Sequence, residues 1–156
     1  FSYRDMRLAA LFHDAVYTAQ GSPFNEADSA ELLVQTVGAD AHRATRIIMA
    51  TAEHGKMESE GTPLAIQLFM DCDIATFGEA RWEVAAWNDR NVELELLQRY
   101  TPEQVREGRA KFLGGMLAKR SIFLSDYFRE RWEAQARDNI HRLMVYGNGY
   151  GTEPVP

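Results

Sequence analysis

Apolar residues recur at three- and four-residue intervals along almost the whole chain, and the strict alternation a half-buried strand needs is nearly absent. The pattern predicts a first helix from about Tyr3 to Tyr17, stopping before the turn-rich Gly21-Ser22-Pro23-Phe24-Asn25. Asn25 is placed to cap a second helix with Ala30, Leu33, Val34 and Val37 on one face and Gly38 at its end. Asp40 is expected to cap a third, whose stripe of Ala44, Ile47, Ile48 and Thr51 closes near His54-Gly55. After a polar loop from Lys56 to Thr62, Pro63 stands at the first position of a fourth helix, which carries Leu64, Leu68 and Phe69 and, midway, Asp71-Cys72-Asp73.

From Glu79 to Tyr100 a longer segment puts Trp82, Ala86, Val92, Leu96 and Leu97 on its expected buried side. Thr101-Pro102-Glu103-Gln104 is a capping box that starts a helix running to about Lys119. Gly114-Gly115 inside it costs stability unless another backbone packs close. The last helix is expected from Asp126 to Val145, with Trp82, Trp87 and Trp132 in the core and Arg129-Glu-Arg-Trp-Glu133 as a solvated face. The expectation is an all-α chain of about six to eight helices over residues 1–146, one domain, with 147–156 a flexible tail.

Composition narrows the function classes. With 156 residues the chain can bury a real core in one domain. A net charge of -6 argues against a broad nucleic-acid footprint, although a small anionic ligand stays compatible with a metal ion and a few arginines. No apolar run is long enough to span a bilayer, and no basic-then-apolar leader opens the chain, so neither a membrane nor secretion is expected. The single cysteine, Cys72, excludes an internal disulfide framework and suits a reducing, cytoplasmic setting.

The chemistry-bearing side chains fall at expected helix ends. His13 and Asp14 close the first helix, Glu26 opens the second, His54 closes the third, and Asp71 and Asp73 lie on the fourth. A mixed imidazole and carboxylate set without thiolate suits Mn, Fe, Co, Ni, Zn or Mg rather than a closed structural zinc site. Asp71 and Asp73 lie about 200° apart around a helix, so one of them rather than both would grip a given ion.

The stretches Phe12-His-Asp-Ala-Val-Tyr17, Asn25-Glu26 with Ser29-Ala30, Ala50-Thr51-x-x-His54, Asp71-x-Asp73-Ile74 with Phe77-Gly78, and Arg90-x-x-Glu93 carry a resemblance. Gly108-Arg-Ala110 and Trp132-Glu-Ala-Gln-Ala-Arg137-x-Asn139 extend it along most of the chain. In this order they resemble the HD-domain superfamily of metal-dependent phosphohydrolases, and within it a branch of small predicted hydrolases. The resemblance implies a single HD-like helical domain holding one divalent metal ion, with His13 and Asp14 as the HD pair and Asp71 or Asp73 as the later acid. The superfamily pattern also has a histidine ahead of the pair, and none stands among the twelve residues before His13. That histidine is then expected in a segment preceding Phe1, or the site lacks one ligand.

The implied activity is hydrolysis of a nucleotide or other small phosphate ester by metal-activated water. Glu26 and His54 are the candidates for moving protons, and Arg90 and Lys56 for offsetting phosphate charge. Each has a structural rival. Glu26 also reads as an acid complementing a helix dipole. His54 suits a helix C-terminus, and Arg90 can pair with Glu93 or Glu95. Arg109 and Arg137 read as structural. Two other functions are compatible with the residues: a non-catalytic helical ligand-binding or regulatory module with an incomplete HD metal site, and a di-iron HD-type oxygenase. A homo-oligomer is compatible with all three.

Overall fold

A computed structural model describes residues 1–17 and 24–146. Among the described residues there are seven α-helices and no strand: α1 Tyr3–Phe12, α2 Asn25–Val37, α3 His42–Thr51, α4 Leu64–Asp73, α5 Trp82–Leu97, α6 Pro102–Ala118 and α7 Asp126–Tyr146. The all-α expectation is met. The tail expected at 147–156 lies outside the described residues. Backbone contacts divide the chain into two compact units, Phe1–Met70 and Asp71–Pro156. No helix among the described residues is long and apolar enough to cross a membrane.

In the first unit α1, α2 and α3 pack on one another. Ala9, Leu33, Ala41, Ala44, Ile47 and Ile48 are fully buried there, and of these Leu33, Ala44, Ile47 and Ile48 belong to the apolar stripes read from the sequence. The first helix starts on a capping box, in which Asp5 N–H donates to the Ser2 hydroxyl at 3.2 Å and Ser2 N–H donates to the Asp5 carboxylate at 2.6 Å. It stops at Phe12, five residues short of the expected Tyr17, so His13 and Asp14 lie in the turn that leaves it.

Two expected caps are corrected. Phe24 rather than Asn25 is the N-cap of α2, with Asn25 as the first helical residue. Asp40 lies inside a short 3₁₀ turn, Ala39–Ala41, and α3 begins after it without a side-chain cap. Gly38 does end α2, at φ 92, where a side chain would be strained. The fourth helix follows Pro63, whose carbonyl accepts from Ile66 and Gln67 N–H at 2.9 and 3.0 Å. Its ten residues end at Asp73, so Asp71 and Asp73 occupy its last turn rather than its middle.

The second unit is built on α7, which packs on α5, on α6 and on a 3₁₀ turn, Ala75–Gly78. Its core includes Ile122, Phe123, Phe128, Ala136, Ile140 and Leu143. Thr101 and Gln104 form the expected capping box of α6 with both reciprocal bonds present. Gly78 is buried where a methyl group would meet Trp132 Cβ at 2.7 Å, so the turn and α7 touch at a point only glycine allows.

Two expectations fail in this unit, and a conditional one is resolved. Trp87 is 59% exposed rather than core, because α5 buries the side carrying Ala85, Ala86 and Asp89. Val92, expected inside, is exposed and lines a cavity. No other backbone comes close to Gly114-Gly115: a methyl at Gly114 would meet only Met144 Cε, at 3.8 Å, and one at Gly115 nothing within 4 Å.

Candidate functional site

The turn after α1 is shaped by its own backbone. His13 N–H donates to the Ala9 carbonyl at 2.8 Å, closing the helix, and the chain then leaves through Asp14 and Ala15. Val16 N–H donates to the Ser29 hydroxyl at 3.0 Å, and that hydroxyl lies 3.4 Å from the Val16 carbonyl. Ser29 is fully buried on α2. It anchors the exit of the turn two residues beyond Asp14, and Glu26 stands one helical turn before it, on the same face of α2. Ser29 is a positioning residue that the chemistry-first reading did not single out, because a buried serine carries no titratable signal.

The His13 ring is oriented twice over. Its Nδ1 lies 3.2 Å from the Ala10 carbonyl, which can only accept, so this contact is a hydrogen bond in the form that carries the proton on Nδ1. Phe69 holds the ring edge-on at a centroid distance of 5.6 Å. That leaves Nε2 facing Asp14 Oδ2 at 3.2 Å. Two acceptors at this distance need a cation between them, either a proton or a metal ion. The 3.2 Å separation is that of two donors bound to one ion by bonds of about 2.1 Å, roughly 100° apart. An Nδ1 proton engaged by a backbone carbonyl is also the arrangement that fixes a ligand histidine with Nε2 outward. The Asp14 side chain is 74% exposed, so the pair opens to solvent.

The remaining predicted residues have these places. Glu26 is half-buried in the first turn of α2. His54 is half-buried in the turn after α3, where its N–H donates to the Thr51 carbonyl at 3.3 Å. Lys56 is exposed and pairs with Glu53 at 3.3 Å. Arg90 pairs with Glu93 at 2.8 Å along α5, the structural alternative weighed for it. Asp73 is exposed at the end of α4.

Asp71 is fully buried in the second unit and carries three donors. Leu124 N–H reaches Oδ1 at 2.6 Å, while the N–H and hydroxyl of Ser125 reach Oδ2 at 2.8 and 2.5 Å. Burial pushes its carboxyl above the usual range, and these hydrogen bonds oppose the shift. The carboxylate thereby holds the segment entering α7.

The expected solvated face does the same work. Glu133 accepts from Ile122 and Phe123 N–H, and Arg129 donates to the Phe123 and Leu124 carbonyls. Arg137 pairs with Glu133 at 2.8 Å and donates to the carbonyls of Leu117, Lys119 and Arg120. Asn139 donates to the carbonyls of Phe77 and Glu79, both at 2.8 Å. These side chains satisfy loop backbone that would otherwise be buried bare.

Among the described residues no group of three or more His, Cys, Asp or Glu side chains is gathered to hold a metal ion. His13 and Asp14 are two such side chains whose polar atoms approach within 3.2 Å. No protein-family model, no curated protein and no solved structure matches the chain.

Proposed function

We propose that the chain is a metal-dependent phosphohydrolase of the HD-domain type, acting on a nucleotide or other small phosphate ester. The observation that carries the reading is the approach of His13 Nε2 to Asp14 Oδ2 at 3.2 Å, with Nδ1 already committed to the Ala10 carbonyl. His13 and Asp14 would hold the divalent ion, one nitrogen and one oxygen donor suited to Mn, Fe, Co, Ni, Zn or Mg. When bound, such an ion lowers the pKa of a water ligand and polarises a phosphoryl oxygen. Ser29 keeps the turn in place through Val16. Glu26, on the same face of α2 as Ser29, is the proton acceptor assigned to the attacking water, and His54 the alternative. Lys56, in the same unit as the pair, is the residue assigned to phosphate charge, at the cost of its present pairing with Glu53. Arg90 of the second unit keeps its pairing with Glu93. A cytoplasmic setting accords with a single cysteine.

A non-catalytic ligand-binding module is the second reading. It draws support from Asp71, one of the two acids that the resemblance offers as the later ligand, whose two oxygens are already engaged by three donors. The two readings separate in one experiment on the full chain. Mn²⁺ titration followed by electron paramagnetic resonance is expected to show a site that His13→Ala and Asp14→Ala abolish. Phosphate release from a panel of nucleotides and phosphate esters is expected to need Mn²⁺ or Co²⁺ and to fall about 100-fold or more in both variants. Metal binding without turnover would favour the module. Turnover that survives both substitutions would overturn the hydrolase.

A further inference from the structure

The second unit contains a cavity of about 580 Å³, the size of small-molecule sites, lined by residues of α5, α6 and the 3₁₀ turn at Ala75–Gly78. Phe77, Val92, Leu96, Phe112 and Leu113 make its walls largely apolar. Val92, Tyr100 and Phe112 remain about two-fifths exposed there, apolar surface that a closed helix seam would bury.

Its polar groups are few and unevenly satisfied. Asp89 is 5% exposed and pairs through Oδ1 with Arg109. Among the described residues no donor reaches its Oδ2. The neighbouring Asn88 donates through Nδ2 to the Thr76 hydroxyl at 3.2 Å, and no donor among the described residues reaches its Oδ1. A buried carboxylate oxygen lacking a donor is costly, and burial pushes the Asp89 carboxyl up even with Arg109 beside it. Around the cavity Arg109 engages Asp89 through Oδ1, and the groups still wanting a partner, Asp89 Oδ2 and Asn88 Oδ1, are both acceptors. A ligand that brings N–H donors meets these demands, and an anion does not. Phe77 and Phe112, 6.5 Å apart between ring centres, offer aromatic faces to a flat apolar body.

We propose that this cavity is a binding site for a small aromatic amine, its ring against Phe77 and Phe112 and its nitrogen donating to Asp89 Oδ2 and Asn88 Oδ1. The site shares no residue with the His13–Asp14 pair and stands or falls without it.

Isothermal titration calorimetry of the full chain with tryptamine, indole and indole-3-acetate tests this, since the three share one ring and differ in the head. Tryptamine is expected to bind about tenfold or more tightly than indole, and indole-3-acetate more weakly than either. Gly108 lines the cavity and a Cβ there would meet nothing within 4 Å, so a larger side chain has room to start into the open space. Gly108→Phe is therefore expected to keep the helical circular dichroism and lose tryptamine. Asp89→Asn should reduce tryptamine to the affinity of indole. Because that variant also removes the partner of Arg109, Asn88→Ala serves as the second test, with a loss of about threefold or more confined to the amine. Equal binding of the three probes, binding of none, or full tryptamine affinity in Gly108→Phe would overturn the proposal.

Discussion

Asp14 and Asp71 are both acids that the sequence offers as candidate ligands, yet the two units use them in opposite ways. Asp14 is largely exposed and meets the imidazole beside it. Asp71 is fully buried and meets two backbone N–H groups and a hydroxyl from more than fifty positions away. A carboxylate whose two oxygens are both engaged by buried protein donors is an architectural part. An exposed one beside an imidazole nitrogen keeps most of its acceptor capacity for solvent or a ligand. The number and kind of donors that reach an acid, rather than its place in a motif, separate these roles.

The contrast breaks first at Asp71. Asp71→Ala leaves two N–H groups and a hydroxyl buried without an acceptor, and is expected to cost about 3–5 kcal/mol in urea unfolding. Asp14→Ala is expected to change stability by no more than about 0.5 kcal/mol while removing the bound Mn²⁺. Similar losses of stability in both variants would erase the distinction.

A second, smaller effect concerns how tightly the Asp71 unit is packed. At Gly78 a methyl group would sit 2.7 Å from Trp132 Cβ and 3.2 Å from Cγ, neither of them the far end of a flexible side chain. Gly78→Ala is expected to cost about 1–3 kcal/mol by thermal unfolding, because the turn and α7 must separate. A neutral result would mean that this junction is looser than its distances.

Local pattern revealed some features, although it misplaced the caps at Asn25 and Asp40 and the end of α1. Thr101 and Gln104 lie three residues apart, and Gly38 ends the helix it follows, so both features are settled by neighbours in the chain. The stripes of α2 and α3 are legible for the same reason. The role of Asp71 was not, since its partners Leu124 and Ser125 are remote and carry no compositional mark. Arg129 and Glu133 misled for a related reason: their charges suggest a solvated face, while their long stems let the heads reach loop backbone. Trp87 was misplaced because α5 turns its smaller residues, Ala85 and Ala86, inward. The cavity was invisible to any pattern, being a space that side chains on separate helices leave unfilled. The His13–Asp14 pair was legible as a dipeptide, but the Ala10, Phe69 and Ser29 contacts that orient it were not.

The buried acids also give the second unit its own pH signature. Burial raises the Asp71 and Asp89 carboxyls above their unfolded value of 3.8. Between 3.8 and the higher folded values the native state binds more protons than the unfolded chain, so stability rises as pH falls into that window and is lost as pH rises through it. Asp5 in the first unit runs the other way. Its carboxyl is lowered, chiefly by the Ser2 N–H, so its contribution is present above 3.8 and lost below. Urea melts from about pH 7 to about pH 4 should show a shallower pH slope in Asp89→Asn than in the wild type, the difference being at most about 1.4 kcal/mol per pH unit for one proton. An unchanged slope would remove Asp89 from the account.

The smallest effect sets two glycines of the second unit against each other. Gly78 is packed against an indole, but Gly108, inside α6, has nothing within 4 Å of where a methyl would go and no positive φ to protect. Its absent side chain contributes no close packing; it leaves room in the cavity and costs helix propensity. Gly108→Ala is therefore expected to stabilise the protein by about 0.5–1 kcal/mol, read as a raised melting temperature, through reduced backbone freedom in the unfolded chain. The same substitution should weaken tryptamine modestly, because a methyl takes a small part of 580 Å³. A destabilised Gly108→Ala would mean that α6 approaches its neighbours more closely than the open cavity allows, and the space assigned to a ligand would then be filled by the protein itself.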